Sequence, residues 1–480
     1  MTQLDLPSKT FDWQSQKAFS SASGDDNPIH MDPVVCRRTQ VGFPVVHGIH
    51  GVLWALDCLI AKSQISKPIA RIRVRFNNYI YVEDTVGILI KKLDENSLRF
   101  ALHIGDTLKT TVEVTFGAAQ NLEISPLSSA PKHHRKTPFN WNPSEHKEFS
   151  GRQGVNDAGA VQQLFPALAE AMGHHRTTGL MALSTIVGMA CPGYHSLFNS
   201  LDVLIHSTSD NIDGVTYRIK NFSQATGLLD IGIAGCGLSG SIKAFYRSRP
   251  VEQPPFTELL TLVEKGEFRL KSSLIVGGSR GLGALTAKIL AAGGGRVIIS
   301  YSTGKTEAQK ITREINDHCK ENICSVLKLD VQQDMREPLS SLPIPVDHFY
   351  YFATPHISRQ KGSLFSKKLF DEFYSYYVDG FYNICQILAR NTPDKITAFY
   401  PSTTYVDNRP NNFCEYAMAK SAGEILCHDI SQFAPNIYTI MRRLPPLLTD
   451  QTLTMFDLEA SSAVQEVYSA VKQLHQTAKG

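Results

Sequence analysis

The chain has 480 residues, 42% of them hydrophobic and 19% charged, with a formal net charge of +3 and 9 cysteines. At roughly 150 residues per domain this means about three domains with sizeable cores, which excludes wholesale disorder, and the small charge argues against a nucleic-acid binder with a basic stripe. No apolar run reaches the ~18 residues of a membrane span, the N-terminus MTQLDLPSKTFDWQSQ lacks a signal-peptide profile, and the scattered cysteines contain no CxxC, so reduced thiols in a cytoplasmic protein without a zinc site are expected.

Two proline-bearing stretches read as connectors. The first runs from Asn121 to Asn142, with Pro126, Pro131 and the basic patch His133-His134-Arg135-Lys136; the second is Ser248 to Phe256 with three prolines. Proline blocks both helix interiors and central strands. The parts they separate are residues 1–120, 143–248 and 268–480.

The first part opens with a loop-rich section. Gly48 to Ile60 is apolar nearly all round, which predicts a buried helix. Arg71 to Phe76, Val86 to Ile90 and Thr110 to Phe116 then alternate with period two, as half-buried strands do. In the second part His195 to Leu201 is a candidate helix, and strands are predicted at Val215–Ile219, Leu228–Ile233 and Gly240–Tyr246. One helix against an antiparallel sheet, occurring twice, predicts an α+β double hot-dog. The third part changes pattern. Strands at Ser273–Val276, Arg296–Ser300 and Ser325–Leu329 alternate with helices at Ala284–Ala292 and Thr306–Asn316. That order predicts an α/β Rossmann fold with a doubly wound parallel sheet.

The sharpest stretch of the first part is Ser23-Gly24-Asp25-Asp26-Asn27-Pro28-Ile29-His30-Met31-Asp32-Pro33. Glycine, Asn-Pro and Asp-Pro make it a turn-rich loop. Asp25 and His30 can fold toward one point, where a carboxylate and an imidazole would hold and deprotonate one water. Val45-Val46-His47-Gly48 leads into the predicted helix, and a backbone N–H at its start is an oxyanion donor. Taken alone, such a loop is more often an ordinary turn. As a whole, the pattern resembles the MaoC-like, or hydratase 2, family of R-specific enoyl-CoA hydratases over about residues 10–117. The resemblance implies a catalytic Asp25 and His30, with the Gly48 N–H polarising a thioester carbonyl.

The second part resembles the same fold without that chemistry. Gly188 to Ser196 is read as the counterpart of the HG and helix, with Gly193 mirroring Gly48, but no SGDxNPxH loop precedes it. Gly193 and His195 are expected to be structural or to line the substrate. In eukaryotic double hot-dog relatives the active loop lies in the second half, whereas here it lies in the first. Arg71, Arg73 and Arg75 share one strand face. A solvated face is the commoner explanation, and contact with the phosphates of coenzyme A or with phosphopantetheine is the alternative.

In the third part Val276-Gly277-Gly278-Ser279-Arg280-Gly281-Leu282-Gly283 follows a strand and opens a helix. Such glycines permit a tight turn and let a pyrophosphate reach a helix N-terminus. Tyr416 and Lys420, spaced i, i+4, share a helix face, and Thr403 and Ser402 stand 13 and 14 residues upstream. The lysine is expected to lower the phenol's pKa. Together these stretches resemble the short-chain dehydrogenase/reductase family, with Val276 in place of its threonine. The resemblance implies catalytic Tyr416, Lys420 and one hydroxyl of Ser402 or Thr403. It implies nucleotide contacts from Gly277, Ser279, Arg280, Gly281, Leu282, Gly283, Tyr301, Ser302, Asp330, Tyr416 and Lys420. The strand that should end in a ribose-binding acid ends in Ser300-Tyr301-Ser302, and Arg280 and Lys305 are nearby cations, so NADP(H) is favoured over NAD. Two departures stand out. Phe352-Ala353-Thr354-Pro355 replaces the family's NNAG, and Tyr377 replaces its catalytic Asn.

The two resemblances imply a bifunctional enzyme. One part would be an (R)-specific enoyl-thioester hydratase or 3-hydroxyacyl-thioester dehydratase, the other an NADP(H)-dependent 3-oxoacyl-thioester reductase, acting on coenzyme A or acyl-carrier thioesters. Neither nucleic acid nor membrane is expected as a partner, and a homo-oligomer stays open. The alternatives are a hydratase whose reductase-like part only binds NADP, and a non-catalytic acyl-carrier binding module.

Overall fold

The computed structural model describes residues 6–117, 132–133, 136–146, 149–155, 158–207, 214–247, 249, 251–357, 364–392, 394–449 and 463–477. Most of the first connector, including His134 and Arg135 of its basic patch, lies outside the described residues. The chain forms two compact units, Met1–Arg249 and Pro250–Gly480. Among the described residues no helix is long and apolar enough to cross a membrane.

The first unit holds strands β1 (Lys9–Thr10), β2 (Ile69–Phe76), β3 (Thr85–Leu93), β4 (Ser97–Ile104), β5 (Thr107–Phe116), β6 (Lys132–His133), β7 (Ser150–Gly154), β8 (Ser196–Ile205), β9 (Gly214–Ser223), β10 (Leu228–Gly235) and β11 (Leu238–Tyr246). They form one sheet in the order β1-β3-β4-β5-β2-β8-β11-β10-β9-β7-β6. The β2–β8 pairing joins the two hot-dog halves edge to edge. Each half packs a helix on its sheet. The Gly48–Ala61 helix buries Ile49, Val52, Leu53, Ala55, Leu56 and Leu59, as its all-round apolarity predicts. In the other half the His174–Thr185 helix continues as a π-helical turn over Ile186–Ala190.

Two local expectations of the second half are corrected. His195–Leu201 is not helical. Ser196–Ile205 is strand β8, hydrogen-bonded to β2 on one side and β11 on the other. Its apolar spacing imitates a helix because a bulge interrupts its alternation opposite Lys243 and Ala244. Gly188 to His195 therefore ends the helix of its half and leads out of it, rather than opening it. The helix itself hides behind polar residues. Thr177, Thr178, Ser184 and Thr185 are all buried, and Thr177 and Thr178 return their hydroxyls to backbone carbonyls of Gly173 and His174.

The arginines of β2 also find a structural role. Arg71 grips Asp202 of β8 with two bonds of 2.5 and 2.7 Å, and Arg73 reaches the same carboxylate at 3.3 Å. Two of the three cations thus clamp the seam between the halves and are not spare phosphate ligands.

The second unit is a six-stranded parallel sheet of β12 (Ser272–Val276), β13 (Arg296–Tyr301), β14 (Cys324–Lys328), β15 (His348–Tyr351), β16 (Ile396–Thr403) and β17 (Ile437–Leu444), in the order β14-β13-β12-β15-β16-β17. Alternate residues feed opposite faces: Ile275 joins a core with the Gly281–Ala292 and Ala463–Thr477 helices, while Leu274 and Val276 join one with Tyr377, Phe381 and Tyr416. Strand order reverses between β12 and β15. Their carboxyl ends make the crevice where doubly wound sheets bind ligands.

Candidate active sites

The Asp25 loop is shaped by local rules. Gly24 ends the Trp13–Ser23 helix at φ 78°, a left-handed cap that glycine adopts freely. Asn27 caps the following turn by accepting from the Ile29 N–H at 3.0 Å, and Pro28 takes the first helical position. Asp25 and His30 are thereby turned toward His47, and one polar atom from each of the three lies within 4.8 Å of the others. The His30 and His47 rings stack at 3.9 Å. His30 Nδ1 bonds the Val45 carbonyl at 2.7 Å, and His47 Nε2 bonds the Asp25 carbonyl at 2.9 Å. A carbonyl only accepts, so those nitrogens carry the protons, and His30 Nε2 keeps a lone pair. With His47 Nε2 spent as a donor, the trio fits proton transfer rather than a metal.

Burial sets the charges. Asp25 is 1% exposed, and desolvation pushes its carboxyl up to about 7 against the Ser184 hydroxyl that holds it down. Desolvation pulls His30 down to about 4 and His47 well below its ordinary value. Near neutral pH both imidazoles are neutral and Asp25 is poised between its two forms. Gly48 opens its helix, where backbone N–H groups have no intrahelical acceptor. A Cβ at this position would come within 2.7 Å of the Phe76 ring, so a larger residue would have to displace that ring.

Four groups of the second half meet at this centre, and two of them, Ser184 and Thr185, were not anticipated. Ser184 Oγ donates to Asp25 Oδ2 at 2.6 Å. Thr185 Oγ1 donates to the Ser23 carbonyl at 2.6 Å. Asn27 Nδ2 donates to the carbonyls of Gly188 at 2.6 Å and Gly193 at 3.0 Å. A Cβ on Gly188 would overlap Asp25 Oδ1. Gly193, expected to mirror Gly48, instead presents a carbonyl to the loop. His195 is buried, and burial lowers it to about 4.

In the second unit, Gly277 to Gly283 lies between β12 and the Gly281–Ala292 helix. Gly277 has φ 79°, and a Cβ there would press on the backbone of Phe352 and Ala353; one on Gly283 would strike the Gly277 carbonyl. Ser279 is buried, Arg280 is the extended residue before the helix, and Leu282 stands in its first turn. Gly277 N–H donates to Ser300 Oγ at 3.0 Å, tying the turn to β13. Tyr301 ends β13 and Ser302 follows it, while Lys305 opens the Lys305–Cys319 helix. Asp330 follows β14 and accepts from the Gln332 N–H at 3.0 Å.

Tyr416 and Lys420 are buried on the Cys414–Phe433 helix. The two upstream hydroxyls divide. The Thr403 hydroxyl acts on Tyr416, holding its phenol down against burial, whereas Ser402 donates to Glu424, which Arg443 holds. The expected effect of the lysine on the phenol is corrected. Lys420 Nζ donates to the Pro401 carbonyl at 2.6 Å and lies 4.0 Å over the Tyr377 ring. Burial lowers Lys420 to about 7 and raises Tyr416 above its ordinary value. Desolvation outweighs the Thr403 hydroxyl, and the phenol stays protonated. The two departures from the reductase pattern touch each other: the hydroxyls of Tyr377 and Thr354 are 2.5 Å apart.

Residues 2–115 match the family model described as MaoC like domain. No curated protein matches the chain. Solved structures similar to it include FolM alternative dihydrofolate reductase 1 from Brucella suis in complex with NADP, at 18% identity and TM-score 0.39 over 44% of this chain and 90% of that one. A gluconate 5-dehydrogenase from Burkholderia cenocepacia in complex with NADP and tartrate is 17% identical at TM-score 0.40, over 45% of this chain and 92% of that one. The landomycin C-6 ketoreductase LanV with bound NADP and rabelomycin is 18% identical at TM-score 0.39, over 44% and 91%. The N-terminal region of this chain is a MaoC-like domain.

Proposed function

We propose that the Asp25 centre adds water to a trans-2-enoyl thioester, or removes it from an (R)-3-hydroxyacyl thioester, carried by coenzyme A or an acyl carrier protein. The observation that carries this reading is the buried Asp25 carboxyl converging within 4.8 Å on His30, whose Nδ1 is spent on the Val45 carbonyl and whose Nε2 is left unprotonated. His30 Nε2 holds the water and the Asp25 carboxylate takes its proton. The hydroxide adds to C3 while charge moves to the thioester oxygen, where the Gly48 N–H meets it. Asp25 then returns a proton to C2, so protons balance and the centre is regenerated.

The second unit is read as an NADP(H)-dependent 3-oxoacyl-thioester reductase. The donor set fits the cofactor: a glycine turn at a helix start, no acid at the end of β13, and the cations Arg280 and Lys305 for a 2′-phosphate. Gly277, Ser279, Gly281, Leu282 and Gly283 would cradle it, with Tyr301, Ser302 and Asp330 toward the adenosine. NADPH, when bound, supplies a hydride. Tyr416 gives its proton to the substrate oxygen that Thr403 holds, and Lys420 steadies the ribose. The two reactions share a 3-hydroxyacyl thioester, which gives the fusion of regions 1–120, 143–248 and 268–480 its chemical sense.

A second reading keeps the hydratase and makes the second unit an NADP-binding scaffold. The Tyr377–Thr354 pair favours it, because it fills the positions of the family's relay Asn and NNAG. Spectrophotometry separates the two. Wild-type protein should consume crotonyl-CoA and oxidise NADPH with a 3-oxoacyl thioester. Binding of NADPH without oxidation selects the scaffold, and inertness toward every enoyl thioester removes the hydratase.

A further inference from the structure

We infer that Ser184, on the helix of the second hot-dog half, is a positioning residue for Asp25, so that the half without the catalytic loop completes the centre of the half that has it. The inference rests on the hydratase reading above.

The geometry is specific. Ser184 is 159 residues from Asp25 in sequence, yet its hydroxyl reaches Asp25 Oδ2 at 2.6 Å with both groups buried. The other carboxylate oxygen accepts the Asn27 N–H at 3.3 Å, so Ser184 makes the shorter bond. Without it one oxygen of a desolvated carboxylate loses its donor, the costly case for a buried charge. The neighbouring contacts point the same way. Thr185 holds the Ser23 carbonyl, and the Gly188 and Gly193 carbonyls hold the Asn27 amide. Gly188 lies in the π-helical turn and has no side chain because Asp25 Oδ1 occupies that space. π-helical turns of this kind recur at functional sites. The helix end and the turn after it thus supply a donor to the carboxylate, two acceptors to the loop, and the room in which the carboxylate sits.

The hydroxyl stabilises the charged form of Asp25 and opposes the burial that favours the neutral form. Two donors oppose the burial, the Ser184 hydroxyl first and the Asn27 N–H after it, while Asp26 pushes the carboxyl further up; His30 and His47 are held neutral by burial. Removing the hydroxyl therefore raises the pH at which Asp25 ionises. A serine that merely filled space would leave that pH unchanged.

The test compares wild type with Ser184→Ala and Ser184→Thr in the full chain. The infrared carbonyl band of the protonated Asp25 carboxyl, assigned by its loss in Asp25→Asn, is followed against pH, together with kcat and KM for crotonyl-CoA. Ser184→Ala should move the carboxyl midpoint and the acid limb of kcat upward by about one pH unit, with kcat at pH 7 down about fivefold and KM within about twofold. Ser184→Thr keeps the hydroxyl and should restore both. Should Ser184→Ala fail to fold, Ser184→Cys, a near-isosteric weak donor, should move the midpoint in the same direction. An unmoved midpoint in a folded variant overturns the inference. The infrared midpoint decides the role of Ser184 even if wild type hydrates no enoyl thioester, in which case the hydratase reading alone falls.

Discussion

The two candidate centres sit in units built on different principles, and burial acts on them in opposite senses. At the Asp25 centre it brings a carboxyl up to about 7, into the working range. At the Tyr416 centre it drives the phenol upward, away from that range, and brings the lysine beside it down to about 7. A base must give up its proton near neutral pH, whereas an acid that donates to a reduced carbonyl must arrive protonated. The same desolvation therefore brings the Asp25 base into its working range, while it keeps Tyr416 protonated but a weaker acid than an ordinary phenol.

The contrast can be broken most sharply at Tyr416. Tyr416→Phe removes the proton donor and leaves the ring, so NADPH-dependent reduction should fall to background. Hydration, whose residues belong to the other compact unit, should stay within about twofold, well short of the tenfold that 1.4 kcal/mol represents. Loss of both activities would couple the centres and end the comparison.

Thr403 and Ser402 come next. Of the two, Thr403 is the one that acts on the Tyr416 phenol, so Thr403→Ala should lower the reduction rate by about 10- to 100-fold. Ser402→Ala loosens Glu424 and should cost less than about threefold. Steady-state NADPH oxidation by both variants would distinguish them, and a larger loss for Ser402 would reverse the assignment.

Arg280→Ala sharpens the cofactor assignment. Fluorescence titration should show NADPH weakened about tenfold and NADH hardly changed, because only NADPH offers a 2′-phosphate for a charge-assisted bond. Equal weakening would contradict it.

The smallest effect is in pH. The base form of Asp25 is its carboxylate, so hydration should rise through about pH 7 and be near half its plateau there. His30, at about 4, should add no limb until well into acid. A profile with a single midpoint near 4 would mean that Asp25 titrates as an exposed carboxyl.

Legibility in sequence followed the range of the forces. The Asp25 loop was readable because its conformation is set within a few residues: a left-handed Gly24, the Asn27 cap and Pro28 each act locally. The Gly277 turn, flanked by a buried strand and an apolar helix, was readable for the same reason. The His174–Thr185 helix was not, since its buried threonines and serines blur the apolar period while bonding within the helix or to the Asp25 loop. Strand β8 was misread because its register comes from two partner strands distant in sequence. Ser184 carried no local signal at all. A lone serine becomes functional only when the fold brings Asp25 to it.

The central claim is that buried Asp25 and half-buried His30 together hydrate enoyl thioesters, and its most direct test is the loss of crotonyl-CoA absorbance with wild type, Asp25→Asn and His30→Ala. Both variants should remain folded, since each changed side chain lies in a loop or single turn beside the main cores, and both should lose at least about 10²-fold in rate, the usual worth of a positioned acid or base. Near wild-type rates in folded variants would contradict the account.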